Sequence, residues 1–318
     1  YSSPLNKFFP FVRFDFAMHR LHTLPPTEQI YRSHVPPQYD SFPIEKYFAT
    51  RFSYQDEEEW SRQIRAGKII INGKVALIGQ KLRASDLTIT NGGFRIEPAA
   101  DRTLNVIYED KDIRAFNKSA PIPVHPCGRY FKNSMTEVLK GVYPNEVPRP
   151  IQRLDVMTTG VIVFARTQKA AAFLMQEFKQ NRVEKEYFAL VEGIPQTKQF
   201  TIDKAIAKLT ASKRIVGEGI PGSQSARTDV EWLTSINNLS LLRVIPRSGR
   251  TNQIRVHLAS EGLPIYNDSV YGNGKVSDQE FNLHHRRMQF QCFDTKFQLT
   301  AIYPPHFQPY INKVGENK

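Results

Sequence analysis

Apolar and polar residues alternate along this chain in short blocks whose period changes several times. The most hydrophobic block is Val161-Ile162-Val163-Phe164-Ala165, a run dominated by β-branched residues that predicts a strand packed on both faces. Leu104 to Tyr108 and Ile113 to Lys118 read as two further strands joined by a turn at Asp110-Lys111-Asp112. Trp232 to Ile245 returns to strands, and the alternation Ile254-Arg255-Val256-His257-Leu258 predicts another, with its polar residues on one face. Residues 168 to 180 have helical spacing, with Ala171, Phe173, Leu174 and Phe178 inward. Met135 to Lys140 is a shorter helix for which Ser134 is the candidate cap. Closer to the N-terminus, a helix starts around Phe42 to Phe48, and a second over Glu58 to Ala66 is stopped by Gly67. Lys68 to Val75 then reads as a hairpin, with Asn72-Gly73 fitting a type I′ turn. Residues 201 to 230 carry charge and glycine with little pattern, as an exposed hairpin or loop would.

These blocks predict two modules, a small one at residues 42–98 and a larger one at 104–306. They are joined by the short stretch Glu97 to Arg102, preceded by an extended arm at 1–41 and followed by a tail at 307–318. Lys plus Arg is 43 and Asp plus Glu 31, for a net charge of +12. That balance makes a polyanion, nucleic acid first, the expected partner; a solubilising surface charge is the blander alternative. The chain has no apolar run of about 18 residues, so no membrane span is expected. Cys127 and Cys292 give no disulfide framework and suit a reducing compartment. No C-x-x-C, no H-x-x-x-H and no Walker A loop is present, so neither metal nor cofactor is expected. Residues 1 to 33 hold only Asp15 and Glu28 as acids against four basic residues. That composition suits a trimmed, mitochondrial protein, and a disordered arm of a cytoplasmic or nuclear protein equally well.

Candidate chemistry centres on Arg153-Leu154-Asp155-Val156-Met157-Thr158-Thr159-Gly160, which feeds directly into the most hydrophobic strand. Such a loop holds its carboxylate rigidly; alone, Asp155 reads as a turn cap or a partner of Arg153. Two other segments change that reading: Lys185-Glu186-Tyr187, and Gly249-Arg250-Thr251-Asn252-Gln253-Ile254-Arg255-Val256-His257. Together, in this order and spacing, the three resemble the motifs H-R-L-D-x-x-T-S-G, K-x-Y and G-R-T-H-Q-I-R-V-H of the RluA-type RNA pseudouridine synthases. The resemblance covers residues 104 to about 290. It implies an α+β fold, a mixed and mostly antiparallel sheet with a central RNA-binding cleft, and cofactor-free isomerisation of uridine to pseudouridine in rRNA or tRNA. It makes Asp155 the catalytic carboxylate, Arg255 its partner and Tyr187 the active-site tyrosine. Arg153 follows the arginine that wedges into RNA as the target base is flipped out, and Arg250 and Gln253 are expected to line the cleft. Taken alone, Tyr187 reads as half-buried core and Arg255 as a surface residue.

The small module is similar to an RNA-binding domain first known from a small-subunit ribosomal protein, although the late G-D pair of that domain stands here as Ser85-Asp86. Arg62, Arg65, Lys68 and Lys74 are its candidate phosphate contacts; a plain charged helix face is the alternative. The segment Pro121 to Tyr130 resembles eukaryotic members of the family that act on tRNA. Pro264 to Gly272 resembles the family's L-P-I-x-G-D-x-x-Y-G turn, and Leu283-His284-His285 stands where L-H-A is usual. Four departures matter: Gln152 and Asn252 for histidines, Thr159 for serine, and Ser119 for a proline. They leave open a catalytically weak RNA-binding protein whose partner is an assembling ribosomal particle. A zinc nucleobase deaminase is excluded, because neither H-x-E nor P-C-x-x-C occurs.

Overall fold

A computed structural model describes residues 21–52, 55–210, 213–273 and 281–316. Near the N-terminus, β1 (Thr27–His34), β2 (Ile69–Ile71), β3 (Lys74–Val75) and β4 (Leu87–Arg95) form a four-stranded sheet in the order β1-β4-β2-β3. Helices α1 (Ile44–Arg51) and α2 (Glu57–Arg65) pack beside it over a core that includes Tyr47, Phe48, Trp60, Ile64, Ile69 and Leu82. Gly67 ends α2 in the left-handed region, with Gly67 N–H donating to Ile64 O and Lys68 N–H to Gln63 O. Asn72 and Gly73 both take positive φ, as a type I′ turn requires. Ser85 sits at φ 71, the conformation for which the related pattern uses glycine, and Asp86 accepts from Arg83 N–H and the Asn72 side chain.

Three expectations are corrected at the margins of this unit. The stretch expected as an extended arm contributes β1, which pairs along β4 and buries Gln29, with Val35 buried just after it; residues 1–20 lie outside the described part. The stretch expected as a simple joint is itself buried. Glu97 is 3% exposed and its carboxylate accepts from the backbone N–H groups of Phe131, Lys132 and Asn133. The tail is a helix, described below.

The large sheet is built from β5 (Leu104–Glu109), β6 (Ile113–Lys118), β7 (Arg149–Pro150), β8 (Thr159–Ala165), β9 (Glu184–Glu192), β10 (Gln199–Asp203), β13 (Arg227–Ile236), β14 (Leu239–Pro246), β15 (Leu283–Cys292) and β16 (Thr295–Thr300). A separate two-stranded hairpin, β11 (Ile206–Lys208) and β12 (Arg214–Val216), lies between β10 and β13 in sequence. The main path runs β10-β13-β14-β9-β15-β8-β6-β5, with β16 on β15 and β7 on β8. Every pairing is antiparallel except β15 with β8. The α+β class and the mixed, mostly antiparallel sheet are as expected. Around this sheet lie α3 (Met135–Val142), α4 (Gln168–Lys179), α5 (Gln253–Ser260) and α6 (Gln308–Glu316).

Strand β8 is buried on both faces, as its composition predicts: Ile162 and Phe164 enter one core, Val161, Val163 and Ala165 the other. Two helix readings need correction. Ser134 precedes α3 without capping it, because its hydroxyl donates back to Phe131 O. The segment expected as a strand at 254–258 is α5. Ile254 and Leu258 face the main core, whereas Val256 faces a small cluster with Ile206 and Ala226. A helix packed on two sides places apolar residues on opposite flanks, which imitates the alternation of a strand. The tail forms α6, because Phe307 and Tyr310 insert against Leu190 and Leu241.

The parallel crossing of β8 and β15 fixes Gly160. Its φ is 110, and a Cβ there would stand 2.2 Å from the carbonyl oxygen of His285. Strain and a backbone collision coincide, so Gly160→Ala should lose about 3 kcal/mol or more of stability. Chemical denaturation measures this; an unchanged midpoint would mean that the two strands can separate freely here.

Candidate active site

Asp155 lies on the loop that enters β8. Leu154 plugs the main core on one side of it, and Thr158 N–H donates to Asp155 O, closing a tight turn at 3.1 Å. Beneath the turn, the fully buried Lys118 donates through Nζ to the carbonyls of Ser119 (2.9 Å), Val156 (3.0 Å) and Thr158 (2.8 Å). Three acceptors match the three protons of an ammonium. Burial pushes Lys118 down to about 7, against the pull of the Asp155 and Asp101 carboxylates.

The Asp155 side chain is 36% exposed, and its Oδ2 is 2.8 Å from Nη1 of Arg255. The expected pairing is therefore present, although Arg255 arrives on a helix. The other edge of the guanidinium makes a two-pronged contact with Asp268: Nε to Oδ2 at 2.8 Å and Nη2 to Oδ1 at 2.8 Å. Asp268 is fully buried and also accepts from the N–H groups of Val270 and Tyr271. The rings of Tyr271 and Phe281 each lie 5.2 Å from the Arg255 guanidinium. Burial works against the charge on Arg255, but the carboxylates of Asp268 and Asp155 outweigh it and raise the group above its ordinary value. Burial likewise raises Asp268, and hydrogen bonds from Arg255 and the two backbone N–H groups bring it below the usual carboxylate range.

Tyr187 on β9 borders the same site. It is 9% exposed, and its ring stacks on His285 at 4.3 Å with a 12° interplanar angle. Desolvation, then the Asp155 charge, raises the phenol above 10.0, so the hydroxyl keeps its proton. Burial pushes His285 down to about 3, leaving a neutral imidazole under the tyrosine.

Arg153 is exposed beside Asp155, and its charge reaches the Pro-rich loop. Burial, then Arg153, lowers His125 below its ordinary value; burial raises Cys127 against the opposing charge of Arg153. Arg250 is exposed, with Nε donating to Ser225 O. Gln253 is corrected. It is 4% exposed, its Oε1 accepts from Ser248 Oγ and Arg250 N–H, and its Nε2 donates to Arg227 O and Thr228 Oγ1. Those bonds anchor the start of α5 and leave Gln253 nothing to offer RNA. Arg62, Arg65, Lys68 and Lys74 are all exposed on the N-terminal unit, where Arg62 pairs with Glu59 at 2.6 Å.

Sequence reasoning assigned no role to Asp268, Lys118, His285 or Tyr271. Asp268 and Tyr271 stand in a quoted motif, so a signal existed. His285 replaces a small residue in another, and the substitution places a ring against Tyr187. Lys118 carries no signal of its own at the end of β6, a strand that also holds a second basic residue, Arg114.

The family described as RNA pseudouridylate synthase matches residues 112–260. The mitochondrial tRNA pseudouridine(32) synthase of Saccharomyces cerevisiae is 32% identical over 80% of this chain and 56% of its own length. The ribosomal large subunit pseudouridine synthase D of Haemophilus influenzae is 36% identical over 57% of this chain and 60% of its own. The chain thus spans a little over half the length of these curated relatives. Among solved structures, human RNA pseudouridylate synthase domain containing 1 superposes with a TM-score of 0.56 at 24% identity, covering 69% of this chain and 90% of that one, a likeness of fold. The three motifs, in a matching fold, place this chain in the RluA-type RNA pseudouridine synthase family.

Proposed function

We propose that this chain isomerises uridine to pseudouridine in structured RNA, with Asp155 as the carboxylate at the reacting nucleotide. The observation that carries this reading is the chain Asp155–Arg255–Asp268. A half-exposed carboxylate is aimed by a guanidinium that is itself clamped from behind. The reaction breaks the bond between ribose C1′ and base N1 and joins C1′ to C5. A proton leaves C5 and one is gained at N1, so atoms balance with no added group. Asp155 can attack the sugar, attack the base, or stabilise a cation-like sugar; each route needs an ionised, directed carboxylate. Tyr187 offers a ring and a retained proton beside it. Arg153, exposed on the same loop, is suited to take the place of a flipped base.

The names of the relatives support both tRNA and rRNA as substrates, and we take structured RNA as the class. The yeast relative's mitochondrial name and the acid-poor residues 1–33 support a mitochondrial setting. On the N-terminal unit, Arg65, Lys68 and Lys74, with Arg62, are inferred to grip phosphates without reading bases.

Asp155→Asn should lower pseudouridine formation by at least ~10³-fold while RNA affinity stays within about threefold, since removing charge from the reacting group spares phosphate contacts. Substantial product from this variant would remove Asp155 from the mechanism. Alanine at Arg62, Arg65, Lys68 and Lys74 together should weaken binding to unrelated RNAs and flatten the salt slope by about three to four counterions. Wild-type affinity and slope would give the unit another task. Tyr187, raised above 10.0, should contribute no tyrosinate absorbance up to pH 10 when native protein is compared with Tyr187→Phe; a difference signal below that pH would contradict its burial beside Asp155.

A further inference from the structure

The hairpin β11–β12 carries positive charge away from the main sheet. Lys208 and Lys213 are exposed and Arg214 is half-buried, and no acidic residue occurs from Ile206 to Val216. Its apolar side is small: Ile206 packs on Ala226 and Val256, with Val216 and Tyr271 at the margin. Backbone hydrogen bonds between Ile206 and Gln224 and from Gly217 N–H to Ala205 O fix the base of the hairpin, and so little apolar contact adds little to hold β12 against the helix.

The side-chain seat of β12 is Tyr271. The Tyr271 hydroxyl accepts from Arg214 N–H at 2.7 Å, on the hairpin, and from Asn252 Nδ2 at 3.1 Å, at the start of α5. The ring of the same residue lies 5.2 Å from the Arg255 guanidinium, and its backbone N–H donates to Asp268. Lys213 Nζ is 6.0 Å from the ring on the hairpin side. One side chain therefore touches the basic hairpin, the cap of the catalytic helix and the arginine that aims Asp155.

We propose that Tyr271 is a positioning residue with two separable duties: its hydroxyl seats the basic hairpin as a grip on substrate RNA, and its ring seats Arg255. The second duty rests on the reading of Asp155 as the reacting carboxylate; the first does not. Lys208 and Lys213 meet phosphate, and the gripping strand is held at a fixed distance from the reacting nucleotide because both ends of the span end on one phenol.

The two duties come apart by substitution. Tyr271→Phe keeps the ring against Arg255 and removes the seat of the hairpin together with the Asn252 bond, while the start of α5 stays anchored by the Gln253 hydrogen bonds. It should raise KM and RNA Kd about 5- to 10-fold while kcat falls less than about threefold. Tyr271→Leu removes both and should lower kcat by a further ~10-fold or more. In wild-type protein, Lys208→Ala with Lys213→Ala should flatten the salt dependence of RNA binding by about two counterions. In the Tyr271→Phe background, the same pair should cost less, because an unseated hairpin no longer places its charges. A residue serving only to stabilise the fold would shift the melting temperature and leave KM and kcat moving together. Unchanged RNA Kd in Tyr271→Phe, an equal fall of kcat in Phe and Leu variants, or additive lysine losses in both backgrounds would overturn the proposal. Tyr271→Phe alone decides the hydroxyl's role if the Leu variant does not fold. If the wild-type protein makes no pseudouridine, the activity reading fails, while RNA Kd and salt slope still test the hairpin's seat.

Discussion

The site depends on a guanidinium shared between two carboxylates of unequal burial. A fully buried Asp268 would be costly alone, and it is tolerated because Arg255 and two backbone N–H groups occupy its oxygens. The clamp leaves only Nη1 of Arg255 to meet Asp155, so the direction of that carboxylate is set from 100 residues away in sequence. Arg255 brings one positive charge to two negative ones, and Lys118, pushed down to about 7 by burial, restores neutrality only in part. The chain as a whole carries a net charge of +12, which suits a polyanionic partner.

Rigidity of the Asp155 loop comes from below. Lys118 ties three carbonyls of the two segments that meet there, Ile122 N–H donates to Val156 O, and Leu154 is packed into the core. The loop then passes into β8 at Gly160, where only a glycine fits against His285. His285 supplies the backbone that crosses Gly160 and also the ring under Tyr187. The strand crossing and the tyrosine's placement thus share one residue, which links the parallel pairing of the sheet to the chemistry. Catalytic placement by core-anchored loops is common because only the core can supply such over-determination.

Elements with a local cause were legible in the sequence. β8 declared itself by apolar composition, the Asn72-Gly73 hairpin by its turn residues, the end of α2 by Gly67, and the Asp155–Arg255 pair by motif. What escaped depended on neighbours that no window contains. Helix α5 looked like a strand because it is packed on two sides, and α6 looked like a tail because its anchor, Phe307 with Tyr310 and Ile311, packs on Leu190 and Leu241 far away in sequence. Gln253 looked like a cleft residue because its motif lies near the site, yet four hydrogen bonds turn it inward. Asp268 escaped because its value lies in a partner 13 residues earlier, on a different element. Arg62, Arg65, Lys68 and Lys74, expected as phosphate contacts, all lie exposed.

The departures from the family motifs bear on whether catalysis is retained, and their environments decide how much weight each deserves. Gln152 turns its amide inward, donating to Val161 O on β8 and approaching Met288 Sδ, so it braces the strand that follows the loop. Thr159 keeps a hydroxyl where serine is usual and shares a hydrogen bond with His284 Nδ1 at 2.8 Å, so that change preserves the hydroxyl. Asn252 stands at φ 55, a left-handed conformation that asparagine tolerates better than most side chains, and it bonds to the Tyr271 hydroxyl. None of the three interrupts the clamp on Arg255 or the exposure of Asp155. A scaffold that had abandoned chemistry would have no reason to keep a carboxylate as costly as Asp268 buried behind the arginine, since a well-packed apolar pair would serve folding as well or better. Retention of the whole ion-pair chain therefore weighs toward an enzyme, and the altered positions weigh toward changed contacts around the same site.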